Sequence, residues 1–155
     1  MKISKASDYA IRGLIYMAKK PEGAVSYIKD IAKNTNTPAS FMSKIFQTLS
    51  KAGLVNSFIG TKGGFSFNFP PKKITIKMVI EAIEGPIALN RCVINKAFCQ
   101  QASHCEVHFM WIDIQRMLSD ALNSNSIADF ANKKLPRKGK KIEGASDMAG
   151  ELQAL

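Results

Sequence analysis

Acidic side chains are missing from residues 31–80, a stretch that carries seven lysines and neither an Asp nor a Glu. Ordinary solvated surfaces intersperse both signs of charge. A one-sided field this long favours a polyanionic partner, and phosphate backbones are the leading candidate. Anionic membrane surfaces would be attracted too, but no segment combines a basic face with a wide apolar one. Long apolar runs are also lacking, and none approaches the ~20 residues a membrane span needs. Met1-Lys2-Ile3-Ser4-Lys5 leads into a mixed amphipathic segment, so no export signal is expected. Cysteine is scarce. Three residues, an odd number in a chain without export features, argue against a disulfide framework and for reduced thiols in the cytoplasm. None is needed as a staple, because a chain of 155 residues buries roughly 70% of its unfolded surface as one domain, or one domain with an appended helix.

The net charge of +10 sits mainly in the first ninety residues. There, Tyr9, Ala10, Gly13, Leu14, Met17 and Ala18 recur at helical spacing and predict a first helix over about 5–19, ended by Pro21-Glu22-Gly23. Ser26 is the expected N-cap of a short helix carrying Ile28, Ile31 and Ala32. After the polar turn Asn34–Thr37, Thr37 is expected to cap a third helix with Pro38 at its first position. Phe41, Ile45, Phe46 and Leu49 form its inner side and Gly53 its stop. Two helices joined by a short polar turn predict a helix-turn-helix, whose second member enters the major groove of DNA. Ser40, Ser43 and Lys44 lie on the side away from Phe41 and Ile45, which makes them candidate DNA contacts.

Two β-rich runs follow, Leu54–Phe58 and Phe65–Phe69, joined by the glycine-rich tip Ile59-Gly60-Thr61-Lys62-Gly63-Gly64. Directly after a helix-turn-helix, such a hairpin reads as a wing, with Thr61, Lys62 and Gly63 placed to approach a DNA backbone. Thr75 caps a predicted fourth helix with Ile76, Val79, Ile80 and Ile83 inward, stopped at Gly85-Pro86. Residues 87–107 have weak periodicity and read as a loop. A long helix is predicted from Cys105 to Asn123, with Phe109, Trp111, Ile114, Met117, Leu118, Ala121 and Leu122 making a broad apolar face for its own domain or a second subunit. From Pro136 on, the basic, small-residue tail reads as disordered.

All three cysteines, Cys92, Cys99 and Cys105, fall in that loop, with His108 three residues beyond the last. Thiolates grouped with an imidazole are the ligand set for zinc or for an iron–sulfur cluster. The long gaps between them favour a loop draped over a cluster, while zinc and direct thiol oxidation remain open. His104 and Glu106 are weaker candidates. A Cys–His nucleophile would need an orienting third group and a pocket, so no enzyme is expected.

The chain resembles the family of iron–sulfur winged-helix regulators that includes IscR, NsrR and RirA. The resemblance rests on Lys2-Ile3-Ser4, Asp8-Tyr9-Ala10, Ile28–Ala32, Ser40–Leu49, Lys51–Val55, Gly63-Gly64-Phe65, Pro70–Ile76 and Ile83–Pro86, and covers about residues 1–130 in order. It implies a mainly α fold with a small β-hairpin wing and a long C-terminal dimerisation helix. It also implies a homodimer on palindromic promoter DNA, whose affinity is set by an iron–sulfur cluster on Cys92, Cys99 and Cys105. IscR-like members add a histidine that maps to His108 and hold a 2Fe–2S cluster, the favoured form. NsrR-like members use an aspartate that maps to Asp8, reached from the partner subunit, and hold a 4Fe–4S cluster. The chain departs from the pattern at Ile59, where an arginine is common, and in a first cysteine gap of six residues. The expected organisation is a DNA-binding domain over 1–86, a cluster loop over 87–107, a dimerisation region over 108–132 and a tail over 133–155. The alternative function is a metal-free thiol-redox or zinc-containing repressor of the same fold.

Overall fold

The structure is a computed structural model that describes residues 3–60, 63–101 and 104–132. Helix α1 spans Lys5–Ala18, and its cap forms as Ser4 Oγ accepts the Ser7 N–H. Its face of Ser7, Ala10, Leu14 and Met17 is buried, at the i, i+3, i+7 spacing of a helix stripe. Helices α2 (Ile28–Thr35) and α3 (Ala39–Lys51) pack on it and on each other. Gly13 makes the close approach possible, since a Cβ there would stand 2.8 Å from Cε2 of the fully buried Phe46 ring.

Several local expectations fail for visible reasons. Ser26 does not cap α2; its N–H donates to the Phe65 carbonyl at 2.8 Å and its carbonyl accepts the Phe65 N–H at 2.9 Å, so it extends the wing sheet by one bridge. Tyr27 stands at the N-cap without a side-chain bond. Thr37 is not the cap of α3 either. Its hydroxyl donates to the Thr35 carbonyl, and Pro38 occupies the cap. Asn36 makes the turn between the helices in the left-handed region, φ 52°, where a short polar side chain is tolerated. The inner face of α3 is Met42, Ile45, Phe46 and Leu49; Phe41 is 39% exposed and meets Tyr9 edge-on.

The wing is the antiparallel pair β1 (Val55–Phe58) and β2 (Gly64–Phe67), in register Val55↔Phe67 through Phe58↔Gly64. Leu54, Val55 and Phe65 anchor its base in the core, while Phe58 and Ile59 face solvent. After a single 3-10 turn, Pro71–Lys73, Thr75 caps helix α4 (Ile76–Glu84) by accepting the Met78 N–H, and Val79 and Ile80 are buried. The fold is thus mainly helical with a two-stranded wing.

The segment 87–107 is not all loop. It holds the short helix α5 (Arg91–Ile94) and a 3-10 turn at Lys96–Phe98. Helix α6 runs His108–Asn123 and begins three residues later than the expected Cys105. Among the described residues the final helix is α7 (Ile127–Ala131), which packs on α1 and on the earlier 3-10 turn Pro71–Lys73. Ile127 is fully buried, its N–H donates to the Ile74 carbonyl, and Ser126 forms a bridge with Thr75. Residues 125–131, expected within a dimerisation region, therefore pack on the DNA-binding body. The tail 133–155 lies outside the described residues.

Candidate nucleic-acid interface and cysteine site

The outward face of α3 carries Ser40 and Lys44 exposed and Ser43 half-buried. Burying Met42, Ile45, Phe46 and Leu49 leaves these positions facing away from the core. Gln47 and Lys51, also exposed, continue the same face at i+3 and i+7 from Lys44. Extending the spacing by one more turn of the sequence would have found them. Thr48 is exposed too, but its hydroxyl donates back to the Lys44 carbonyl at 3.1 Å. Ion pairs among the described residues include Arg12–Asp8, Lys77–Glu81 and Arg116–Asp113. Lys44, Lys51, Lys72 and Lys73 take part in none of these, so their field is uncompensated by a neighbouring carboxylate.

At the wing tip, a Cβ on Gly63 would meet the Phe58 and Gly60 carbonyl oxygens at 2.6 and 2.8 Å, so only glycine fits that tight turn. Thr61 and Lys62 lie outside the described residues. Ile59, beside the tip, is fully exposed.

The three thiols are half-buried and none is in a disulfide. Cys92 is on α5, Cys99 follows the 3-10 turn, and Cys105 lies just before α6. His108 is the first residue of α6 and only 4% exposed, and its Nδ1 and Nε2 have no hydrogen-bond partner. An imidazole stripped of water without a partner is costly, and its chemistry is that of a metal ligand. Cys105 lies just outside α6, and a turn joins it to His108: the His108 N–H donates to the Cys105 carbonyl at 3.1 Å. The donor types fit zinc or an iron–sulfur cluster. They are not gathered, because among the described residues no group of three or more His, Cys, Asp or Glu is close enough to hold a metal ion. His104 and Glu106 are exposed. Asp8 is on the first turn of α1 and paired with Arg12 at 2.9 Å.

Two links at the root of the cysteine segment have no sequence signature. Glu84, the last residue of α4, accepts the Ser4 N–H at 2.9 Å and the Ser7 hydroxyl. The Ser7 hydroxyl, and after it the Ser4 N–H, holds the Glu84 carboxyl below the usual carboxylate range. Beyond it, the backbone of Ile87 and Leu89 is held by Gln115 of α6.

The chain matches the Rrf2 family, described as iron-dependent transcriptional regulators, over residues 3–133. The HTH-type transcriptional regulator IscR of Aliivibrio salmonicida is 28% identical over 130 residues, which are 84% of this chain and 77% of that protein. A protein of Aquifex aeolicus named as an HTH-type transcriptional regulator is 31% identical over 134 residues, 85% of this chain and 92% of its own length. Among solved structures, CymR, the global cysteine regulator of B. subtilis, is similar at TM-score 0.68 and 28% identity, covering 84% of this chain and 96% of CymR. T. potens IscR shares the fold at TM-score 0.62 and 20% identity, over 88% of this chain and 94% of its own. The relatives' names describe a regulatory, non-enzymatic role. This chain belongs to the Rrf2 family of transcriptional regulators.

Proposed function

We propose that the protein is a cytoplasmic, homodimeric repressor that reads palindromic promoter DNA with α3 and the wing, and whose affinity for DNA depends on an iron–sulfur cluster. Ser40, Ser43 and Lys44 contact the major groove. Thr61, Lys62 and Gly63 of the wing tip meet the backbone, where contacts position the protein without reading sequence. Two recognition helices related by a two-fold axis fit half-sites about 10 bp apart, centre to centre. The exposed apolar side of α6 is the dimer seam. Cys92, Cys99, Cys105 and His108 would hold the cluster, with 2Fe–2S favoured over 4Fe–4S. A bound cluster supplies a redox- and iron-sensitive bridge among side chains that are otherwise separate.

The observation that carries the cluster reading is the buried His108 ring with neither nitrogen partnered. One measurement tests the whole: anaerobic purification, absorbance with iron, sulfide and zinc content, and titration of a promoter duplex with loaded and unloaded protein. Brown protein holding iron and sulfide, binding DNA with a different affinity once the cluster is removed, is the expected result. Binding should fall steeply with salt, since several lysines displace counterions. Lys44→Ala should change which base pairs are preferred, and Lys62→Ala should weaken all sequences about equally. Absence of DNA binding in both forms overturns the regulator reading, and stoichiometric zinc in a colourless protein overturns the cluster.

A second reading is supported by the separation of the thiols and the likeness to CymR, whose name marks it as a cysteine regulator. In it the thiols work without metal. Two of them form a disulfide, giving two electrons and two protons to a peroxide that is reduced to water. Cluster-free protein whose DNA affinity changes on peroxide treatment, and returns with dithiothreitol, favours this form.

A further inference from the structure

Between α4 and the first cysteine the chain runs through Ile87–Leu89, which has no helix or strand of its own. One side chain fastens it. Gln115 Oε1 accepts the Leu89 N–H at 3.0 Å, and Gln115 Nε2 donates to the Ile87 carbonyl at 2.8 Å. The amide thereby satisfies one donor and one acceptor of the strap, much as a neighbouring strand would. Glu81 Oε1 takes the Ile87 N–H at 3.4 Å from the α4 side. Cys92 follows three residues after Leu89.

Gln115 stands seven residues along α6 from His108, and positions i and i+7 share a helix face. The burial pattern has the same phase: Trp111, Ile112, Leu118 and Leu122 are half-buried along that stripe, whereas Met110, Asp113, Ile114 and Met117 face solvent. One face of one helix therefore carries both the partnerless imidazole and the clamp on the strap that leads to Cys92. Simple packing would be served as well by leucine, which keeps the size and makes no polar demand. A forked amide is needed only where backbone groups must be held.

We infer that Gln115 is a positioning residue for the cysteine segment: by locking Ile87–Leu89 to the His108 face of α6, it presents the Cys92 thiol in a fixed register relative to that imidazole. The inference deepens the reading above, since it takes the thiols as the working groups, but it does not depend on what they hold. It also makes the clamp a route by which any ligand that draws in Cys92 pulls on α6.

The test uses the reduced, metal-free full chain as wild type, Gln115→Leu, Gln115→Glu and, as a control on the solvent face, Arg116→Gln. Hydrogen exchange is followed at the Leu89 amide, and iodoacetamide alkylation at each cysteine. Gln115→Leu should speed Leu89 exchange and Cys92 alkylation about tenfold, the opening that loss of two net hydrogen bonds permits. Cys99 and Cys105 should change less, and Arg116→Gln should match wild type. Gln115→Glu keeps an acceptor for the Leu89 N–H and should fall between. Circular dichroism checks the fold; should Gln115→Leu lose helicity, Gln115→Glu decides by the same two readouts. Wild-type exchange and alkylation in the deciding variant, or an equal change at all three cysteines, overturns the positioning role. Failure of the cluster reading looks different: reconstituted wild type would lack iron and sulfide while the Gln115 pattern in metal-free protein persists.

Discussion

Arg12 Nη2 lies 2.9 Å from Asp8 Oδ2, one turn further along α1. The carboxylate offered by resemblance as an alternative fourth ligand is thus already paired, while His108 is buried with both ring nitrogens unused. Ligation by Asp8 would have to break the Arg12 pair; ligation by His108 would relieve an unsatisfied group.

The first prediction follows from that contrast. Asp8→Ala should leave iron, sulfide and visible absorbance near wild type, and His108→Ala should lose most of them. In the metal-free protein His108→Leu should be more stable than wild type, because it replaces a partnerless buried imidazole with an apolar group of similar size. A gain of about 1–2 kcal/mol is expected in denaturant unfolding, the stability–function trade-off of a ligand site. A cluster that survives His108→Ala but not Asp8→Ala would assign the fourth position to Asp8.

A second prediction concerns acid. The Glu84 carboxyl is held below its ordinary value near 4.5 by Ser7 and Ser4. A depressed folded-state value means the stabilisation is fully present above that ordinary value and lost as pH falls through the lower folded one. Glu84→Gln keeps an acceptor but not the charge, so it should lower Tm slightly at neutral pH. The difference should shrink as pH falls below that ordinary value and the carboxyl becomes protonated in the folded protein. The effect is small because Glu84 is exposed and water screens it. A Tm difference that stays constant from neutral to acid would show that the charge contributes nothing.

The winged helix was legible from sequence because each element carries its own signal: α1 by its apolar stripe, the wing by two β-rich runs around a glycine-rich tip, α4 by the Thr75 cap. Errors arose where tertiary contacts outrank local ones. Ser26 has the right residue type for a cap, but the wing edge takes its backbone. Phe41 is more apolar than Met42 by type, yet the α3 phase is set by Ile45, Phe46 and Leu49, which bring Met42 inward and leave Phe41 against Tyr9. The broad apolar face of α6 proved to be two faces, with Trp111, Leu118 and Leu122 turned in and Phe109, Ile114 and Met117 turned out. Sequence named the thiols and His108 as candidates, but not Gln115 or Glu84, because a polar side chain that grips distant backbone leaves no periodic trace.

Helix α7 tests the same point energetically. Ile127 is fully buried against the body, and Ser126 with Asp129 forms a capping box that starts the helix. Ile127→Ala should cost about 2–5 kcal/mol through lost burial and the cavity left behind. Were these residues only part of a dimer arm, the loss would depend on protein concentration. Packing on α1 predicts the same loss at every concentration, measured by urea unfolding over a wide dilution series.

The last prediction concerns the outward side of α6. Met110, Ile114, Met117 and Ala121 are exposed at i, i+4, i+7 and i+11, a continuous stripe, with Phe109 beside it. Phe109 is 75% and Met117 71% exposed, too much apolar surface on one helix for a chain meant to stay alone. The α6 face turned inward is already occupied by the body and the strap, so covering the stripe requires another surface. In a two-fold dimer the same stripe on each copy covers the other, and its self-complementarity needs no further partner. Wild type should therefore show twice the 17.0 kDa chain mass by light scattering. Met117→Glu sets like charges against each other across the axis and should return the mass to one chain. It should leave the winged helix folded, because Met117 makes no part of the core. Binding to a palindromic duplex should then drop steeply, since two half-sites are no longer engaged by one linked particle. A dimer that withstands Met117→Glu and Ile114→Glu together would place the seam on another surface.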